Sequence, residues 1–84
     1  MKASKKEVEN AILFFSEKFD QKEDYRALIS LQSPLPKIVE MIVYEMFLRK
    51  FDYYNCSNEE YEQYMFIYEY VNELKRIGWV TFNK

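Results

Sequence analysis

Val8, Ala11, Ile12, Phe15 and Phe19 stand at i, i+3, i+4, i+7 and i+11, which gathers them on one side of a helix. Ser4 and Glu7 bracket its start with the spacing of a capping box, in which the Ser side chain accepts from the third helical N–H and the Glu reaches back. This predicts a first helix from about Lys5 to Phe19. The wholly polar run "DQKED" ends the stripe. Tyr25, Leu28, Ile29 and Gln32 then suggest a short second helix reaching about Gln32. In "SPLP", Ser33 suits an N-cap and Pro34 a first helical position, while Pro36 still falls in the first turn, where its missing N–H costs little. The third helix is expected to run to about Phe51. Ile38, Val39, Met41, Ile42, Val43, Met46, Phe47 and Leu48 point nearly all round its wheel, and a helix without a wide polar face is expected to be central and buried.

After the loop "DYYNCSN", Ser57 and Glu60 repeat the capping-box spacing and open a fourth helix. It closes with Lys75 and Arg76 in its last turn and with Gly78, the only glycine, where a left-handed residue belongs. The alternating end "WVTFNK" reads as a short extended tail. The fold class expected over residues 1–84 is a compact all-α domain of four helices, with a buried third helix and that tail.

The fourth helix has more apolar surface than one stripe accounts for. Tyr64, Ile67, Val71 and Leu74 form a core face, with Tyr70 and Ile77 beside it. Glu62, Glu69, Glu73 and Arg76 cluster opposite as a solvated side. Tyr61, Met65 and Tyr68 make a second stripe at i, i+4 and i+7, and Phe66 stands alone on the other flank. Two readings stand. The second stripe packs inside the domain, as aromatic stripes at helical spacing usually do. Or Tyr61, Glu62, Met65, Tyr68 and Glu69 form a partner surface, since Tyr and Met offer large, adaptable contact area. From Asp52 to Leu74 there are six acids and no Lys or Arg, so a partner would carry a basic rim.

Composition narrows the chemistry. The chain has no His, one Cys and one Gly among 84 residues. That removes His bases, Ser-His and Cys-His nucleophile pairs, thiolate zinc sites and glycine-rich phosphate loops. The carboxylate pairs Glu59/Glu62 and Glu69/Glu73 remain, but they lack a framework of other site residues. No enzyme activity, cofactor or metal is expected. The lone Cys56 fits a reducing, cytoplasmic setting. Glu40, Glu45, Arg49 and Lys50 interrupt the most apolar run, "IVEMIVYEMFLRKF", so no membrane span is expected. With a net charge of −2, neither nucleic acid nor an anionic membrane is an expected partner.

One resemblance bears on this. From Ala27 onward, "ALISLQSPLPKIVEMI" followed by "IYEYVNELKRIGWVTF" resembles the cadence of winged-helix proteins, in which a helix leads through a Gly-Trp-Val-like step into a wing strand. The resemblance implies duplex DNA as a ligand and places 57–77 in the recognition position. That helix departs from a DNA reader because it is acidic and aromatic, whereas phosphate contacts need Lys and Arg. The leading expectation is therefore a non-enzymatic protein-binding regulator or inhibitor, and the composition suits an accessory protein of a phage or mobile element. A winged-helix-like DNA-binding protein and a structural homodimer or assembly subunit are the rivals.

Overall fold

The computed structural model describes residues 2–79, so the expected extended tail falls almost wholly outside the described residues. Four helices follow one another: α1 (Lys5–Lys18), α2 (Lys22–Ser30), α3 (Leu35–Leu48) and α4 (Asn58–Arg76). The chain is all-α, with no strand among the described residues. None of these helices is long and apolar enough to cross a membrane.

Both capping boxes form. Ser4 and Ser57 accept from the N–H of Glu7 and Glu60, each at 3.1 Å, and each glutamate accepts the serine N–H in return at 2.9 Å. The start of α3 differs from expectation by one residue. Pro34 rather than Ser33 is its N-cap, and no side chain caps it.

All four helices end alike. Beyond the C-cap, Asp20, Gln32, Lys50 and Gly78 take positive φ. In each case the next residue's N–H returns to a carbonyl five residues back: Gln21 to Ser16, Ser33 to Leu28, Phe51 to Met46 and Trp79 to Leu74. This is the Schellman arrangement, which satisfies carbonyls that a helix end would leave open. Only one of the four uses glycine. The left-handed residue at Lys50 is why α3 stops at Leu48 instead of running to Phe51.

Ion pairs fix the order of the helices. Lys2 meets Glu73 at 3.6 Å and Lys18 meets Glu60 at 3.3 Å, so α1 and α4 run antiparallel. The end of α1 lies beside the end of α3: Arg49 sits over the Phe19 ring, and Gln21 donates to Glu45 at 3.1 Å. Val8, Ala11, Ile12 and Phe15 are wholly buried at the centre, joined by Tyr25, Ile38, Val39, Ile42, Met46 and Ile67. Ser16 is buried among them, and its hydroxyl donates to the Leu13 carbonyl at 2.9 Å.

The third helix is not enclosed as expected. It touches all three others, but it buries only Ile38, Val39, Ile42 and Met46. Met41, Tyr44, Phe47 and Leu48 stay exposed. The reason is a shortage of covering elements: α2 has nine residues, and α4 packs mainly along α1. On α4, Ile67 and Leu74 are buried and Tyr64, Tyr70 and Val71 half-buried, as the core stripe requires. Phe66 also packs on the core, whereas Ile77 is the exposed C-cap and does not.

Candidate partner-binding site

The turn at Lys50 drives Phe51 inward, where its ring meets Phe15 edge-on at 5.1 Å and Tyr64 at 5.6 Å. Asp52 then organises the loop. Its carboxylate accepts the Tyr54 N–H at 3.0 Å and the Asn55 side-chain amide at 2.9 Å, the local bonding by which Asp favours turns. The Asn55 bond, with the Tyr54 N–H second, holds Asp52 below the usual carboxylate range.

This loop lays Tyr53 flat on Tyr64, with ring centroids 4.9 Å apart and planes 5° from parallel. Tyr64 is the hub of a tyrosine cluster. On α4 it also meets Tyr68 at 5.9 Å and Tyr61 at 6.4 Å, one turn after and one turn before it. Tyr54 meets Tyr53 at a tilt of 32°, with ring centroids 4.4 Å and hydroxyls 3.3 Å apart. Offset and tilted rings at these separations attract beyond their area burial. The hydroxyl bond to Tyr54, more than the nearby phenols, pushes the Tyr53 pKa up to about 12, and burial raises that of Tyr64.

The expected surface residues come together only in part. Tyr61 and Tyr68 are half-exposed and flank Tyr64. Glu62 is exposed, while Met65 and Glu69 are half-buried on the adjoining side of α4. Tyr53 and Tyr54 complete the cluster, and Tyr54 is 81% exposed. They were not legible as site residues, because a loop carries no periodicity to show what it packs on. The one available signal was Asp52 at the head of "DYYN", an Asp placed to start a turn.

Charge separates two sides of this region. Glu60 is paired to Lys18, and Glu73 to Lys2 and Arg76. Among the described residues, no Lys or Arg lies within ion-pair distance of Asp52, Glu59, Glu62 or Glu69. Glu45, on α3, is held low by Gln21 first and Arg49 second. Between α3 and α4 runs an apolar groove of about 340 Å³, walled by Val43, Met46 and Phe47 on one side and Tyr64, Tyr68 and Val71 on the other. Among its lining residues only Lys75 is charged. A larger, polar depression of about 540 Å³ near Lys5, Glu9, Gln32 and Ser33 gathers no buried ionisable group. Nor, among the described residues, does any group of three or more acids or Cys gather as a metal site would need. No family model matches the chain, and no curated protein or solved structure is detectably similar to it.

Proposed function

We propose that the chain is a small non-enzymatic regulator or inhibitor that binds a basic protein through its tyrosine cluster. The observation that carries this is the cluster itself. Tyr53, Tyr54, Tyr61 and Tyr68 expose rings around Tyr64, on a segment whose Asp52, Glu59, Glu62 and Glu69 have no Lys or Arg within ion-pair distance among the described residues. Rings held rigid by stacking lose little conformational freedom on binding, and Tyr is enriched among the residues that carry interface energy. Arginines of a partner would stack on the exposed faces, and the acids would attract them at the rim. Glu62 and Glu69 take that rim role, and Met65 adds adaptable apolar contact beside Tyr61. The half-buried thiol of Cys56 suits a reducing, cytoplasmic setting.

The test is affinity capture on the immobilised chain with quantitative mass spectrometry. The variant Tyr54→Ala/Tyr61→Ala/Tyr68→Ala is compared with wild type and with Glu23→Ala/Asp24→Ala on α2. The proposal expects a basic protein held by wild type and by the α2 variant, lost with the tyrosine variant, and released as salt rises. Equal retention by the tyrosine variant would overturn it. So would salt-sensitive retardation of random duplex DNA by the wild-type chain, because that behaviour reports phosphate neutralisation.

A further inference from the structure

We infer that the outer face of α3 is a second interface, and that its occupant is another copy of this chain related by a two-fold axis. Met41, Tyr44, Phe47 and Leu48 are each 45–77% exposed and lie on the side of α3 that no other helix covers. Met41, Tyr44 and Leu48 alternate by three and four residues, the spacing of a helix–helix seam.

The size of the patch fits a dimer. An aromatic side chain has roughly 150–250 Å² to bury, and Leu and Met somewhat less, so these four expose on the order of 450 Å². A standard interface takes about 800 Å² from each partner, of which about 55–65% is apolar. The α3 face thus presents close to the apolar area one side of such an interface needs, within the range of about 300–600 Å² of the largest patches on monomers, which are often functional.

Shape and charge then favour self-pairing over other occupants. In a two-fold interface the same patch serves both sides, so it must carry both a projection and a recess. Phe47, the most exposed of the four, stands on the lip of the α3–α4 groove. An antiparallel pairing of α3 helices centred on Tyr44 sets Met41 of each copy near Phe47 of the other and brings each Phe47 to the facing groove. Near a two-fold axis each group meets its own equivalent, so an uncompensated charge there would repel itself. The charges on this face are Lys37 and Glu40, of opposite sign and one to two turns from Tyr44, so an antiparallel pairing sets Glu40 against Leu48 and not against its own equivalent, while Glu45, off the face, is held by Arg49 and Gln21. The tyrosine cluster is the contrary case. With four uncompensated acids nearby, it suits a basic protein and not its own copy. This inference stands independently of the function proposed for that cluster.

Sedimentation equilibrium of the full chain from micromolar to millimolar concentration tests it. The mass should rise from 10.4 kDa toward twice that value as concentration increases. Tyr44→Lys and Tyr44→Glu should each weaken association more than about tenfold with helicity unchanged, since the side chain is mostly exposed. Mixing the two variants should restore association as a heterodimer, an outcome that only a two-fold contact at Tyr44 produces. Phe47→Ser, at a still more exposed position, gives the same test if a Tyr44 variant misfolds. A wild-type chain that stays monomeric to millimolar concentration would overturn the inference. So would a dimer indifferent to Tyr44 and Phe47, or one lost instead on changing Tyr54 and Tyr61.

Discussion

The outer face of α3 and the tyrosine face at the start of α4 lie on either side of one groove and are both rich in large side chains, yet they are built differently. On α3, four side chains project from a single helix with little to hold them. At α4, two segments distant in sequence interlock, because Asp52 folds the loop that stacks Tyr53 on Tyr64. Apolar content alone does not distinguish the two. Support from behind and the charge around the rings do. The tyrosine face is supported from behind and flanked by acids, whereas the α3 face is unsupported and its large side chains project freely.

The largest expected difference between the two faces is in stability. Tyr64→Ala should cost about 2–4 kcal/mol, because the hub packs on Phe51 and three tyrosines and leaves a cavity. Phe47→Ser, measured in dilute solution by urea unfolding, should stay within about 0.5 kcal/mol of wild type. Equal losses would erase the contrast between a supported and an unsupported face.

Removing the cap of α4 comes next. Ser57→Ala should cost about 1 kcal/mol, since it removes the hydroxyl that accepts the Glu60 N–H just where the loop joins the helix, while the Ser57 backbone N–H can still donate to Glu60. A loss of that size with Tyr53 modified faster by a tyrosine-specific reagent than in wild type would show that the cap also holds the stacked loop.

The pH dependence should be two-sided. Burial first, and nearby Glu45 second, push Tyr25 up to about 12, and Tyr53 is raised as far by its bond to Tyr54. A phenol held protonated by the fold adds stability that is complete below its ordinary pKa of about 10 and is lost as pH climbs toward 12. In acid the sign reverses. Glu45, Glu60, Glu73 and Asp52 are all lowered, so their contribution is present above about pH 4 and fades as pH falls through the folded-state values. Circular dichroism against pH should show a plateau between these limbs, and Tyr25→Phe should make the alkaline limb shallower. An unchanged alkaline limb in that variant would remove Tyr25 as a cause.

The smallest effect expected is a gain. Lys50 holds a positive φ of 57° at the turn that sends Phe51 inward between the two faces. Lys50→Gly should stabilise by up to about 1 kcal/mol, as the relief of left-handed strain outweighs the extra freedom given to the unfolded chain. A loss on thermal unfolding would mean that the lysine side chain contributes a contact worth more than the strain.

The all-α fold was legible in the sequence because its signals are local. A capping box spans four residues, the α1 stripe is a matter of spacing, and Gly78 marks the end of α4 by its own backbone freedom. The expectation about chemistry came from composition alone, since a chain without His and with one Cys offers no His base and no thiolate zinc set. The other three helix ends were hidden, because Asp20, Gln32 and Lys50 enter left-handed backbone only when the carbonyls behind them and the contacts beyond them repay about 1–2 kcal/mol of strain. The exposed side of α3 was hidden for a different reason. Its wheel is apolar nearly all round, so periodicity could not say which side the other helices would leave uncovered. Nor could it bring Tyr53 and Tyr54 onto Tyr64, a contact between a loop and a helix turn that exists only once α3 and α4 are packed. Local bonding wrote the helices into the chain; which of their surfaces remained exposed was decided by how few elements were available to cover them.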